Sequence, residues 1–405
     1  MSTAALAERA PILRDLRVAL VHYWLVRRRG GERVLEALAE MFPQADIFTL
    51  VMDPGSRPES LLDHRVCTSF LQHIPGICRH YQKFLPLFPL ALESFDLSGY
   101  DLVISSESGP AKGIITGART CHICYCHTPM RYLWEMYSDY QKNAAGGTLG
   151  RTFYSLVSHY LRLWDYATAA RVDYFVANSQ HVAGRIWKTY RRPADVIYPP
   201  VSLEEYGVSD QPEDFYLVVG QLIRYKRVDL AIAACNQLGR KLVVIGEGEE
   251  FRRLERMAGP TVTFLGWQLG PVLRDHYRRC RALLFPGEED FGITAIEAQA
   301  SGRPVIALGR GGALESVRGY FTGERSSCSD PTGIFFEEPS VESLSAAMMD
   351  FEENEDRFSA VKIQAHARRF STERFKTEME GFLATKLEQF YAAQDHRREL
   401  LPLRS

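Results

Sequence analysis

The feature that most narrows the fold of this chain is a double series of short apolar runs alternating with segments of helical period. Arg17–His22 (RVALVH) reads as a strand buried on both faces, and Val34, Leu35, Leu38, Met41 and Phe42 then fall at helical spacing. Further strands are expected at Asp46–Leu50, Asp101–Ser105, Cys121–Cys126, Val172–Ala177 and Val196–Tyr198, with helices at Arg151–Ala170 and Gln180–Tyr190. Pro199–Pro200 end the series, and the polar, acidic, aperiodic stretch Ser202–Asp214 reads as an interdomain linker. The alternation then resumes. Strands are expected at Phe215–Val219, Lys241–Ile245, Val262–Leu265, Ala282–Phe285 and Pro304–Ala307. The helices between them are Val228–Leu238, Phe251–Met257, Val272–Cys280 and Ile293–Ala300, and Val341–Ala392 is mainly helical.

Strand–helix alternation requires a parallel sheet covered on both faces. The expected architecture is therefore α/β, with two Rossmann-like, doubly wound domains at residues 1–205 and 206–372 facing a central cleft. Ligands would sit at the strand carboxyl ends. Residues 373–405 are expected to form a helix returning to the first domain, with Phe375, Phe382 and Leu387 on its apolar face.

Charge excludes some classes of function. The chain holds 48 Lys and Arg against 50 Asp and Glu, a net −2, which does not suit a strongly basic nucleic-acid binder. The balance divides into +4 over residues 1–200 and −6 over 201–405. No apolar run approaches the roughly 20 residues of a membrane-spanning helix, and the N-terminal segment lacks a signal peptide's continuous apolar core. Eight cysteines in so long a chain are no disulfide scaffold, so a cytoplasmic setting is the expectation.

The sharpest chemistry lies in the second series. EEDFGITAIE follows a strand through Pro286–Gly287, placing Glu289 at the strand's carboxyl end and Glu297 on the next helix. Gly292, Ile293 and Thr294 would open that helix, whose free N–H groups suit a diphosphate. A carboxylate on the helix can accept from a ribose diol, and one near the phosphates from sugar hydroxyls. A solvated acidic turn before an ordinary helix is the plain alternative. Gly246 and Gly248 after the Lys241–Ile245 strand suit a phosphate turn or simply a tight turn. In the first series, Gly30 and Gly31 lie between a strand and its helix, where backbone can approach a phosphate closely; a tight turn is the plain alternative. The basic run Arg27–Arg29 beside them suits phosphate, anionic lipid or a solvated loop.

The segment EDFGITAIEA, from Glu289, Asp290 and Phe291 onward, resembles the E-x7-E motif of retaining glycosyltransferases of family four, which have the GT-B fold. VVGQLIRYKRVDLAI is similar to that family's phosphate-binding strand and loop, and VIGEGEE to its Gly-rich turn. VDYFVANSQHVAGRIWKTYRRPADVIYPPV resembles the end of its N-terminal domain. HTPMRYLWE and HYWLVRRRGGERVLEAL resemble the bacterial mannosyltransferases that build O-antigen and exopolysaccharide. The resemblance implies that Glu289 binds sugar hydroxyls, Glu297 the ribose, and Lys226 with Arg224 the diphosphate. Gln221 stands where many members have Arg, so Arg224 would compensate. Backbone near Gly246–Gly248 and Gly266–Leu269 would build the base pocket. His127, closing the strand CHICYC, corresponds to the family's donor-sugar histidine; a core histidine is the alternative. Cys121, Cys124, Cys126 and His127 are poor metal ligands, because strand neighbours point to opposite faces. No D-x-D pair is present, and no metal or other cofactor is expected.

Ser106, Ser108 and Lys112, with Ser105, are acceptor-side candidates, or simply a polar loop. The segment His80–Leu92 suits a peripheral contact with the inner-membrane surface or a buried helix–turn. The resemblance favours GDP-mannose as donor and a saccharide or polyprenyl-diphosphate-linked saccharide as acceptor. A UDP-sugar transferase, a nucleotide-sugar 2-epimerase and a non-catalytic sugar-nucleotide binder remain as alternatives. The HTPMRYLW and RYKR segments argue against the epimerase, and the retention of both Glu289 and Glu297 against the binder.

Overall fold

The structure is a computed structural model. It describes residues 13, 15–26, 30–142, 146–209, 211–324 and 328–400, with side chains as far as 395. Arg27–Arg29 and the first twelve residues lie outside the described residues.

Two compact units are present, one of Met1–Pro200 with Glu373–Ser405, the other of Val201–Thr372. The strands of the first unit are β1 (Val18–His22), β2 (Asp46–Thr49), β3 (Val66–Thr68), β4 (Leu102–Glu107), β5 (Cys121–Cys126), β6 (Tyr174–Ala177) and β7 (Ala194–Val196). They form a seven-stranded sheet in the order β3-β2-β1-β4-β5-β6-β7, parallel throughout. Its helices are α1 (Gly30–Met41), α2 (Ile77–His80), α3 (Phe88–Glu93), α4 (Tyr137–Lys142), α5 (Gly147–Thr168) and α6 (Gln180–Tyr190). The second unit carries β8 (Tyr216–Val219), α7 (Val228–Leu238), β9 (Leu242–Ile245), α8 (Phe251–Met257), β10 (Val262–Gly266), α9 (Gly270–Arg279), β11 (Ala282–Phe285) and α10 (Ile293–Ala300). It continues through β12 (Val305–Leu308), α11 (Ala313–Ser316), β13 (Gly319–Phe321), β14 (Gly333–Phe336), α12 (Val341–Glu353) and α13 (Ala360–Ala367). Its parallel sheet runs β10-β9-β8-β11-β12-β14-β13.

Strand order reverses between β1 and β4 in one sheet and between β8 and β11 in the other. Those are the crevices where doubly wound sheets bind ligands. Register sets His22 opposite Ser106 in the first crevice. β1 and β4 are buried at every position; β1 reads as a continuous apolar run, whereas β4 ends on the buried polar residues Ser105, Ser106 and Glu107.

The last helix, α14 (Thr372–Leu400), belongs to the first unit. Phe375, Met379, Leu383 and Leu387 recur every four residues and join the core around β1 and α1, with Phe382 flanking them. At about 1.5–3 kcal/mol for each fully buried side chain, an upper estimate, this seam ties the chain's end to its beginning.

The boundary between the units falls at Pro200/Val201, earlier than the expected 205. Ser202–Asp214 is not a free linker. The Val201 N–H donates to Phe370 O at 2.9 Å, and Tyr206 is buried with its ring 6.0 Å from Tyr277. Glu205 and Glu213 pair with Arg274 and Arg279 at 2.7 and 2.6 Å, so the acidic character that suggested a solvated tether instead fastens the segment to α9. Three strands escaped the sequence reading. β3 is a short, half-exposed edge, and β13 and β14 each open on glycine, so none presents a buried β-branched run.

Candidate functional site

In the second unit, the ends of β8 and β11 bring Lys226 and Glu289 together. Lys226 closes a 3-10 turn, Arg224–Lys226, and its Nζ donates to Glu289 Oε1 at 2.7 Å. The two side chains are 15% and 17% exposed. Burial opposes the Lys226 charge, but the Glu289 carboxylate outweighs it and holds the ammonium above the ordinary lysine range. Two of the ammonium's three donors are left for a ligand. A shallow recess at this point is lined by Gly220, Lys226, Gly287 and Glu289 among others.

Glycines make the pairing possible. A Cβ on Gly287 would stand 2.7 Å from both Lys226 Cα and Tyr225 O. On the other side, the Gly312 N–H donates to Glu289 O at 2.8 Å, and a Cβ there would come within 2.3 Å of Phe291 Cα. Gly287, Gly311 and Gly312 were not singled out from the sequence. The run GRGG directly after a strand was the available signal.

The Gly246–Gly248 turn is a close approach of backbone to backbone. Gly246 has φ +149°, and a Cβ there would fall 1.8 Å from Gly220 O, while one on Gly248 would fall 2.1 Å from Leu222 O. The Gly246 amide donates to Gly266 O at 2.8 Å and the Gly220 amide to Ile245 O at 3.0 Å, so these N–H groups are not phosphate donors. Gly266 meets the turn through its carbonyl. Arg224 and Gln221 are exposed beside it.

Gly292, at φ +93°, caps α10, leaving the first-turn amides of Ile293 and Thr294 without intrahelical partners. Thr294 Oγ1 is buried with no hydrogen-bond partner among the described residues, so a polar ligand at this helix start would satisfy it. The Phe291 side chain is buried against Phe370, ring centroids 5.4 Å apart, so a donor would meet this residue through its backbone. Glu297 is 3% exposed and accepts from the Tyr277 hydroxyl at 2.7 Å. Tyr277, which orients this carboxylate, carried no signal in the sequence beyond its helical spacing.

The first unit holds its own cluster. Ser106 Oγ lies 2.9 Å from His127 Nε2 and 3.3 Å from His22 Nδ1, and His22 Nε2 lies 3.6 Å from Glu32 Oε1. A Cβ on Gly31 would stand 2.4 Å from the Tyr23 hydroxyl and 3.5 Å from His127 Nε2, so glycine lets both rings meet the start of α1. Gly30 is that helix's first residue. Burial, with His22 adding to it, pushes His127 down to about 3. His127 is therefore neutral at physiological pH, a hydrogen-bonding group rather than an acid. Ser106 is buried as a link between histidines, Ser105 is buried on His122, and Ser108 is half-buried.

Lys112 is a correction. It is fully buried, with Nζ on Asp165 Oδ1 and 3.5 Å from Glu107 Oε1, and Asp165 also accepts from Trp134 Nε1 and the Tyr190 hydroxyl. An exposed loop lysine would meet an acceptor; this one closes an internal charge cluster. Burial, opposed by Lys112 and reinforced by Asp165, pushes Glu107 up to about 7. The open surface nearby is a recess of about 900 Å3 lined by Trp24, Asp53, Gln72, His73, Arg79 and others. In the segment His80–Leu92, Tyr81, Phe88 and Leu92 are buried while Leu87 and Leu90 face outward. Among the described residues, no helix is long and apolar enough to cross a membrane.

Residues 28–205 match the family described as Glycosyltransferase Family 4, and residues 203–370 match Glycosyl transferases group 1. The two matches follow one another along the chain and together span most of it. Its GT-B fold is that of Anabaena Alr3699/HepE in complex with UDP and glucose (TM-score 0.66, 16% identity, covering 91% of this chain and 100% of that one). Mouse alpha-1,3/1,6-mannosyltransferase ALG2 is 24% identical over 289 residues, 61% of this chain and 66% of that protein. D-inositol 3-phosphate glycosyltransferase 1 of Catenulispora acidiphila is 29% identical over 201 residues, 41% of this chain and 48% of that protein. The chain spans about half the length of the first curated relatives it matches.

Proposed function

We propose that this chain is a family-four glycosyltransferase that moves a hexose, mannose from GDP-mannose in the first instance, onto a lipid-linked saccharide with retention of configuration. The observation that carries the reading is the Lys226–Glu289 pair at the β8/β11 crevice. A cation poised for a diphosphate sits 2.7 Å from a carboxylate suited to sugar hydroxyls, so one ligand engages both. The unpartnered Thr294 hydroxyl and the amides opening α10 add neutral donors for the phosphates.

In the proposed reaction the anomeric C–O bond to the diphosphate breaks while a new C–O bond forms to the acceptor hydroxyl. The acceptor's proton passes to the leaving diphosphate on the same face. Lys226 stabilises charge developing on that leaving group, without a metal. Glu289 holds the sugar, Glu297 the ribose, and neutral His127 accepts from or donates to a sugar hydroxyl. The acceptor is proposed to bind the first unit, whose recess beside Trp24 and Asp53 is open to solvent.

The HTPMRYLWE segment and the likeness to a mannosyltransferase support mannose. UDP-sugar use is the second reading, favoured by HepE's UDP complex on the same fold. Thermal shift and donor hydrolysis with GDP-mannose and a panel of UDP-sugars decide between them. Selective stabilisation by GDP-mannose is expected, and selective stabilisation by a UDP-sugar would refute the mannose assignment.

A further inference from the structure

Four polar side chains of the first unit stand in a file whose order of protons the fold constrains. Register sets His22, the last residue of β1, opposite Ser106 on β4. His127 directly follows β5, and Glu32 lies in the first turn of α1. The file begins at Glu32 Oε1, which lies 3.6 Å from His22 Nε2. It continues from His22 Nδ1 to Ser106 Oγ at 3.3 Å, and from Ser106 Oγ to His127 Nε2 at 2.9 Å. Glu32, His22 and Ser106 are 1%, 0% and 1% exposed, so bulk water does not compete for these bonds. His127 is half-buried and ends the file nearest the surface.

The inventory of donors and acceptors gives the file a direction. A carboxylate accepts and has no proton to give. A neutral His22 ring has one N–H, and it belongs on Nε2, facing Glu32. The reverse would set a ring lone pair against a carboxylate lone pair in a buried site, which is costly. His22 Nδ1 is then an acceptor and takes the single proton of the Ser106 hydroxyl. The Ser106 oxygen has only lone pairs left for His127, so it accepts from an Nε2–H there. Burial pushes His127 down to about 3, so its ring holds one proton and not two. That proton is spent on Ser106, and His127 Nδ1 is an acceptor.

We propose that Glu32, His22 and Ser106 are positioning residues that fix His127 as its Nε2–H tautomer, so that its Nδ1 accepts a hydrogen from the ligand and donates none. This deepens the reading of His127 at the donor sugar and rests on that reading for its ligand. The group selected is a hydroxyl. A carboxylate oxygen in its place would set lone pair against lone pair, which favours a neutral hexose over a hexuronic acid. Long-range proton–nitrogen NMR of the histidine rings, on the full chain at neutral pH without ligand, reads the tautomer directly, with His127→Gln identifying the signals. A pyrrole-like Nε2 and a pyridine-like Nδ1 are expected for His127. A pyrrole-like Nδ1, the arrangement a doubly protonated His22 would impose, overturns the proposal. Ser106→Ala removes the relaying oxygen, and Glu32→Gln puts an amide that can also donate where the carboxylate stood. Each is expected to populate both tautomers. A His127 held wholly as Nε2–H in both variants would overturn the relay, whatever their melting temperatures. Calorimetric titration adds the ligand: Ser106→Ala should weaken GDP-mannose by about three- to tenfold and leave GDP within about twofold. Equal losses for the two would overturn the positioning role. If the parent binds neither nucleotide, the donor reading fails, and the ligand-free spectrum still decides the relay.

Discussion

Replacing Lys226 by Met removes the ammonium while keeping most of the stem's volume. The structure sets the size of the effect. Glu289 occupies one ammonium donor at 2.7 Å, leaving two for phosphate oxygens. One charge-assisted bond lost to a diphosphate is worth about 1.5–3 kcal/mol, or roughly 10- to 150-fold in Kd. Glu289 loses its partner in the variant and remains as a negative charge beside the phosphates, which pushes the result toward the upper half of that range. The same loss also destabilises the free protein, by about 1–3 kcal/mol, because both groups are mostly buried and Glu289 is left without its partner. Calorimetric titration with GDP and UDP reads the Kd, and a melting curve reads the stability. Glu289→Gln is the matched control: it keeps Lys226 and removes the neighbouring charge, so nucleotide affinity should hold or rise while transfer is lost. A Lys226→Met protein binding GDP and UDP within twofold of the parent would refute the clamp.

Gly246→Ala should be among the most destabilising single-methyl additions in the second unit, by about 3 kcal/mol or more. Its Cβ meets the Gly220 carbonyl at 1.8 Å from a φ of +149°, and a melting temperature within a degree of the parent would contradict that crowding. Glu107, raised to about 7, favours the folded state at low pH and withdraws that contribution as pH rises through about 7. Glu107→Gln should therefore gain on the parent in melting temperature between pH 5.5 and 8.5, and a constant difference would count against the buried proton. His127, held down at about 3, should show no titration near 6.5 by NMR, whereas an ordinary histidine titration would remove it from the buried cluster.

Much of the fold was legible from the sequence because both sheets are parallel and buried on both faces. β5, β11, α6, α7, α8 and α10 begin and end where their apolar pattern does. The edge strand β3 was not legible, since it has no buried face to impose a pattern. The site divides in the same way. Lys226 and Glu289 could be named from the segments RYKR and EDFGITAIEA. That they touch each other, and that Thr294 is left without a partner, could not. Lys112 illustrates the reverse error. A lysine in a serine-rich stretch looks exposed, and only Asp165, 53 residues further on, reveals that its charge is compensated internally.

The sequence by itself determined the class of architecture, the order of the two domains and the residue types brought together at the candidate site. These depend on periodicity and local motif, which survive without knowledge of distant contacts. The tertiary structure alone decided which glycines serve close backbone approach, which polar groups are already satisfied, where the first domain ends and which helix face lacks a cover. Each is a relation between residues far apart in the chain, fixed by packing and burial. The helix α5 makes the point most simply. Its sequence announces an aromatic-rich helix, but only the fold specifies which side it buries and therefore which side it leaves exposed.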